Sequence, residues 1–162
     1  MRFYLLLACC FCLSCSFNER NAEKIETNDY YLFFNPGYFS KQDGIQNAIF
    51  LFIKEPPDEF SDHIKIAEED VSRYEKMDLE YYADLREYVL RDRYTVLERK
   101  KNENSIVFVY EKQADQEFKF KTYEQIYFHE GKVFRLSFHS IDPGFDKHFE
   151  KAREVLESFR LK

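Results

Sequence analysis

The sequence has no tryptophan and little glycine or proline, with four residues of each. These glycines and prolines recur at no fixed period, which excludes collagen-like, repeat and low-complexity classes of protein. Basic residues are also in the minority, with 24 Lys and Arg against 30 Asp and Glu and a formal net charge of −6. A nucleic-acid-binding domain needs a basic face, so the composition argues against a nucleic-acid partner.

What the sequence does contain is the composition of one folded domain. Its 162 residues are 44% hydrophobic and 33% charged, as in folded soluble chains and unlike disordered ones. Aromatic residues are in excess, with 18 Phe and 12 Tyr. Because aromatic side chains bury large areas, this excess predicts a ring-rich core.

Cysteine is confined to the N-terminus, at Cys9, Cys10, Cys12 and Cys15. A disulfide framework needs cysteines throughout the folded part of a chain, so none is expected. A metal site is not expected either, because these thiols lie in an apolar segment that offers no polar groups to support metal ligands. No cofactor is predicted for the rest of the chain.

Residues 1–14 have the three-part pattern of a secretory signal peptide: one positive charge at Arg2, an apolar run over 3–13, and the small residue Ser14. The apolar run is too short for a membrane-spanning helix, which needs about 20 residues. The alternative is a buried N-terminal element. The polar segment that follows argues against it, since that segment would separate the element from the core.

Leu13-Ser14-Cys15 resembles the lipobox of bacterial lipoproteins, with Cys12 at a position where leucine is usual. The resemblance implies that Cys15 is lipid-modified and holds the protein on a membrane of the bacterial cell envelope, outside the cytoplasm. Residues 15–28 are then expected to be a flexible tether and 29–162 the domain. The competing interpretation is that the signal peptide is cleaved near Cys15 without lipid modification, which would release a free secreted protein.

Hydrophobic periodicity and turn residues predict seven strands and two helices in the order βββ-α-ββββ-α. The predicted strands cover 30–35, 47–54, 63–71, 94–100, 105–111, 117–129 and 132–139. The first helix is expected to begin after the N-cap Asp78, and the second to span 145–159. Short connections between consecutive strands predict an α+β fold with a largely antiparallel sheet covered by both helices.

Finer predictions concern the helix faces and one hairpin. The first helix is expected to bury an arc at helical spacing, and the second a similar stripe. The first arc is Tyr81, Tyr82, Leu85, Tyr88 and Val89; the second stripe is Phe145, Phe149, Ala152, Val155, Leu156 and Phe159. Glu130-Gly131 is typical of a two-residue hairpin turn, which would pair Tyr127 with Phe134, Tyr123 with Phe138, and Phe128 with Val133.

The order of elements resembles the PsbP-like (Mog/PsbP/DcrB) family of small α+β domains, several of which are secreted lipoproteins or lumenal proteins. The matching segments are the aromatic strand ending at Asn35-Pro36, then 63–69, 77–82, the hairpin over 127–136 and the closing 156–159. Where the family usually has tryptophan after an early Pro-Gly, this chain has Tyr38 and Phe39. The resemblance implies an assembly or interaction role and brings no catalytic motif.

The four histidines, His63, His129, His139 and His148, show no metal-ligand spacing. His63 and His129 are expected to be ordinary surface residues. His139, Asp142 and His148 could converge, but polar residues at strand ends are normal, and no metal site is predicted. Ser137 and His139 alternate onto one face as a possible Ser–His pair, yet no nucleophile elbow accompanies them, so no catalytic residue is assigned.

An early aromatic cluster is the last candidate site: Tyr30, Tyr31, Phe33, Phe34, Tyr38 and Phe39. Core packing is the default explanation. However, successive side chains of a strand face opposite ways, so one short strand cannot bury them all, and some could line a groove or a partner surface.

The sequence thus favours a lipid-anchored, non-catalytic binding or assembly module that acts on an envelope protein partner. The alternative is a small-ligand-binding protein or enzyme with an aromatic-lined pocket.

Overall fold

The computed structural model describes residues 21–44, 48–54, 62–114 and 118–162. The strands are β1 (Glu23–Glu26), β2 (Tyr30–Phe34), β3 (Phe39–Asp43), β4 (Ile49–Ile53), β5 (His63–Asp70), β6 (Thr95–Lys101), β7 (Ile106–Gln113), β8 (Lys119–His129), β9 (Lys132–Ile141) and β10 (Arg160–Leu161). The helices are α1 (Leu79–Arg93) and α2 (Gly144–Glu157).

Seven strands form one antiparallel sheet in the order β3-β4-β5-β9-β8-β7-β6. A second, three-stranded antiparallel sheet has the order β1-β2-β10. The expected α+β class, with a largely antiparallel sheet and two helices, is confirmed. The predicted strand over 105–111 corresponds to β7, which lies second from one edge and buries residues on both of its faces.

One face of the large sheet carries α2 and the small sheet. Alternate residues of β9, Phe134, Leu136 and Phe138, are fully buried on this face. The predicted α2 stripe packs against them, with Phe149 only partly buried. Apolar side chains of β2 complete the same core, so the small sheet and α2 together form the cover on this side.

The opposite face is covered by α1 over β6, β7 and β8. The helix begins as predicted, because the side chain of Asp78 accepts a hydrogen bond of 2.8 Å from the backbone N–H of Tyr81. Its predicted arc is wrong in most positions. Ala83 and Leu90 are buried and Tyr82 packs partly beneath, whereas the other four members of the arc are exposed: Tyr81, Leu85, Tyr88 and Val89. The helix turns Arg86 toward the sheet instead, where it meets a buried carboxylate.

The hairpin between β8 and β9 has the predicted register, with Tyr127 opposite Phe134, Tyr123 opposite Phe138 and Phe128 opposite Val133. Its two turn residues both have positive φ, 49° at Glu130 and 76° at Gly131. Positive φ at both positions matches the right-handed twist of the flanking strands, and glycine adopts it without a Cβ clash. A Cβ on Gly131 would also approach Ser72 to 3.0 Å.

Three strands were not expected from the sequence. β1 lies within the segment predicted to be a flexible tether, and it pairs with β2 through contacts such as Ile25 with Leu32. The tether prediction is therefore wrong for this segment, because the buried Ile25 joins the core. β3 begins at Phe39, the last residue of the aromatic cluster, and pairs with β4. β10 follows α2 and pairs with β2.

The predicted signal peptide and Cys15 lie outside the described residues. Among the residues that are described, no helix has both the length and the apolar character needed to cross a membrane.

Candidate functional site

An open cleft of about 870 Å³ lies on the half of the sheet face that α1 leaves uncovered. Its floor is formed by β5, β9 and β8, and its two sides by β4 and by the end of β7 with Tyr94. Aromatic side chains dominate its lining: Phe50, Phe52, Tyr94, Tyr110 and Phe120. The titratable groups that line it are Asp62, His63, Lys65, Lys112 and His139.

Two histidines form the centre of the floor. His63 of β5 stands opposite His139 of β9 in the sheet, and their ring centroids are 5.1 Å apart. His63 also contacts the rings of Phe50 and Phe52 at 5.6 and 5.3 Å. The expectation that His63 is an ordinary surface residue is therefore wrong, because strand pairing turns it into the cleft.

His139 is held by hydroxyl groups on both sides. Its Nδ1 lies 2.9 Å from Thr122 Oγ1, and its Nε2 lies 3.0 Å from Ser137 Oγ. A neutral imidazole has one donor and one acceptor nitrogen, so it donates a hydrogen bond to one of these hydroxyls and accepts one from the other. Burial, with the proximity of His63, lowers the pKa of His139 to about 4. The ring is therefore neutral at pH 7, and the centre of the floor carries no charge from it.

A buried ion pair lies beside this floor, under α1. Arg86 donates two hydrogen bonds to Glu124, from Nε at 2.7 Å and from Nη2 at 2.8 Å. The hydroxyl of Tyr110 donates to Glu124 at 3.3 Å. Burial, together with the charge of Glu124, raises the pKa of Tyr110, so its hydroxyl keeps its proton. Because Tyr110 also lines the cleft, this network fixes one wall of the site.

The predicted Ser–His pair does form, since Ser137 and His139 are in hydrogen-bond contact. Ser137 is buried, however, and does not line the cleft. His139, Asp142 and His148 do not converge, because His148 lies on α2 at the other face, where Tyr38 Oη is 2.5 Å from its Nδ1. No group of three or more His, Cys, Asp or Glu in the described part of the chain is placed to hold a metal ion.

The early aromatic cluster is divided between the core and the small sheet. Tyr30, Phe34 and Phe39 are buried in the α2-side core. Tyr31 and Phe33 are half-buried on the other side of β2, with ring centroids 5.9 Å apart. None of the six residues lines the cleft. A groove or partner surface at the half-buried members stays a prediction.

Sequence reasoning missed the cleft because its lining comes from distant segments. Phe50 and Phe52 lie on β4, Tyr110 on β7 and His139 on β9. One signal was available: Phe50 and Phe52 alternate with Leu51 in a strand where both faces are apolar, which indicates cover on both sides. The structure places Leu51 in the core and the two phenylalanines in the cleft.

No protein-family model and no curated protein matches this sequence. Solved structures do match. The solution structure of cyanobacterial PsbP (CyanoP) from Synechocystis sp. PCC 6803 aligns with a TM-score of 0.57 over 88% of this chain and 93% of that chain, at 10% identity. The fold is PsbP-like. This confirms, at the level of fold, the resemblance drawn from the sequence.

Two further solved structures are similar to this chain. The protein of unknown function PA94 from Pseudomonas aeruginosa, described as a putative regulator, aligns with a TM-score of 0.53 over 83% of this chain and 94% of that chain, at 9% identity. A protein from Bacteroides thetaiotaomicron aligns with a TM-score of 0.51 over 88% of this chain and 49% of that chain, at 11% identity. At sequence identities this low, the structural similarity establishes the fold alone.

Proposed function

We propose that this protein is a lipid-anchored, extracytoplasmic, non-catalytic binding module, and that its ligand occupies the cleft on the large sheet. The cleft is the observation that carries the proposal. Its volume of about 870 Å³ lies within the range of small-molecule sites, which are typically lined by apolar and aromatic groups with a few polar ones. The PsbP-like fold is compatible with this role and does not specify it.

The walls of the cleft suit a flat, apolar ligand. Phe50 and Phe52 stack with centroids 5.8 Å apart on one side. Tyr94 and Tyr110 pack edge to face at 5.0 Å on the other. Rings at these spacings offer faces and edges that a further ring can contact at 4.5–7 Å, the range that aromatic pairs prefer.

The arrangement of polar groups supports binding rather than catalysis. A Ser–His nucleophile needs a hydroxyl that reaches the substrate and a histidine that a third group orients as a base. Here Ser137 is buried away from the cleft. His139 is bonded to two hydroxyls, and no carboxylate in the described ranges is bonded to it. Its lowered pKa makes it a weak base.

The membrane anchor is supported by Leu13-Ser14-Cys15, and the position of the first strand limits the length of the tether. Because β1 begins at Glu23, the chain between the lipid attachment and the domain is residues 15–22. A chain of this length spans at most about 27 Å when fully extended. The domain would therefore stay close to the membrane surface, with the cleft presented to ligands in the space beside it.

Binding in the cleft is tested with N-phenyl-1-naphthylamine, a neutral fluorescent compound with two aromatic groups. Wild-type protein is expected to bind it saturably, and Phe52→Ala to bind it about five times more weakly, since each lost ring contact is worth about 0.5–1.5 kcal/mol. Fluorescence titration measures both affinities, with circular dichroism to confirm folding. Tyr88→Ala, on the exposed face of α1, is the matched control and should bind as wild type does. Equal affinities for Phe52→Ala and wild type would contradict binding in the cleft.

The anchor is tested by fractionation of cells that express the full chain. Wild-type protein is expected in the membrane fraction, and Cys15→Ala in the soluble fraction, because acyl chains provide the membrane affinity. Cys12→Ala removes a neighbouring thiol and should stay with the membrane. A soluble wild-type protein, or equal partition of all three, would contradict lipidation at Cys15.

A further inference from the structure

The cleft carries two basic side chains, Lys65 and Lys112, that form no salt bridge with the acidic residues in the described part of the chain. Many lysines and arginines of this acidic protein lie in salt bridges, for example Lys119 with Glu111 at 3.0 Å. Lys65 and Lys112 lie within salt-bridge distance of no carboxylate among residues 21–44, 48–54, 62–114 and 118–162. Their ammonium groups instead lie over rings of the cleft, at 5.7 Å from the Phe50 centroid and 5.8 Å from the Tyr94 centroid.

The two lysines lie on opposite sides of the floor. Lys65 is on β5 and Lys112 is on β7, with β9 and β8 between them. Three strand spacings separate them, about 14 Å across the sheet. They are also offset along the strands by about 13 Å, because Lys65 lies level with Ser137 and Lys112 level with Ile141. The space between holds the centre of the floor, formed by His63, His139 and Thr122.

Asp62, the one carboxylate among the described lining residues, contributes little negative charge to the opening of the cleft. The side chain of Asp62 is only 14% exposed, and its Oδ2 lies 3.9 Å from His148 Nε2 on α2. Glu124, on the neighbouring part of the same face under α1, is neutralised by Arg86. Among the lining residues that the structure describes, the exposed charge is therefore positive, although the whole chain has a formal net charge of −6.

We propose that the cleft binds organic acids with a flat aromatic body, whose rings lie between the aromatic walls and whose negative group is held by Lys65 or Lys112. The inference rests on the proposed function and names its class of ligand. A cleft lined by one sign of charge concentrates ligands of the opposite sign. The aromatic walls then select the body of the ligand, since ring contacts have preferred geometries.

The test compares two probes that share one skeleton: 1-anilinonaphthalene-8-sulfonate, which is anionic, and N-phenyl-1-naphthylamine, which is neutral. Wild-type protein is expected to bind the anionic probe about three- to tenfold more tightly, as one or two partly exposed ion pairs would give. The double variant Lys65→Gln/Lys112→Gln should lose this preference and bind the neutral probe within about twofold of wild type.

A second double variant, Lys76→Gln/Lys100→Gln, makes the same change of net charge away from the cleft and should keep the preference. Equal affinities of wild type for the two probes would overturn the inference and leave the proposed function standing. An equal loss of the preference for the anionic probe in both double variants would likewise overturn the inference and leave the proposed function standing. If neither probe binds to the wild-type protein, the proposed function itself would be overturned.

Competition between acids tests the aromatic part. 2-Naphthoate and decanoate carry the same charge, one on fused rings and the other on a flexible chain. 2-Naphthoate is expected to displace the anionic probe at about fivefold lower concentration, because the ring contacts favour it. Displacement by decanoate at an equal or lower concentration would overturn the aromatic assignment and indicate a lipid-like acid instead.

Discussion

Replacement of Glu124 with alanine is expected to lower the free energy of unfolding by about 3 to 5 kcal/mol. The carboxylate is 2% exposed and accepts both hydrogen bonds from Arg86, at 2.7 and 2.8 Å. Without it, the guanidinium group stays beneath α1 with no opposite charge, and Tyr110 loses its acceptor. An unpaired buried charge costs much more than the pair itself contributes, because desolvation is no longer compensated.

Urea unfolding of wild type and Glu124→Ala measures this loss. Glu154→Ala is the matched control, because Glu154 forms a surface pair with Lys151 at 2.8 Å and its side chain is 40% exposed. The control should change stability by at most about 1 kcal/mol. The double variant Arg86→Met/Glu124→Leu should be more stable than Glu124→Ala, since it leaves no unpaired charge. Equal losses for Glu124→Ala and Glu154→Ala would contradict a stabilising role for the buried pair.

Replacement of Phe134 with alanine is the second large effect, with an expected loss of about 3 to 5 kcal/mol in the free energy of unfolding. Phe134 is 0% exposed. Its ring contacts Tyr30 of the small sheet at 5.6 Å and Phe159, just after α2, at 6.1 Å. Truncation would leave a cavity where the large sheet, the small sheet and the C-terminal segment meet.

The midpoint of thermal or urea unfolding measures how much stability Phe134→Ala loses relative to wild type. Tyr88→Ala removes a similar side chain from the surface of α1, where Tyr88 is 80% exposed, and should change stability by about 0.5 kcal/mol or less. A loss below 1 kcal/mol for Phe134→Ala would show that the neighbouring rings close the cavity. That result would contradict a tightly packed junction between the two sheets.

Where local patterns were complete, the sequence predicted the structure in detail. The hairpin of β8 and β9 had a turn signal at Glu130-Gly131 and two strands whose apolar residues match in only one register. α2 had a single apolar stripe and an opposite charged face, so only one orientation buries it well. In both elements, the information needed lies within about 25 residues of chain.

The buried face of α1 was predicted wrongly because the helix carries apolar residues on more than one side. Tyr81, Leu85 and Tyr88 form a regular arc, but they are exposed. The helix packs instead through Ala83 and Leu90 and through Arg86, whose charge is compensated by Glu124 on β8. Periodicity cannot reveal that the partly buried Arg86 faces the sheet, because its partner Glu124 lies 38 residues further along the chain.

The sequence alone determined the order of most elements, the α+β class, the register of the central hairpin and the acidic charge of the chain. Each of these depends on residues that are close in sequence. Only the tertiary structure determined the small sheet, in which β1 and β10 from the two ends of the domain both pair with β2. It also determined the cleft, since pairing of β4, β5, β9, β8 and β7 brings His63 beside His139 and puts Lys65 and Lys112 on either side of them. Strand pairing across the chain, which local patterns do not encode, decides which side chains share a face.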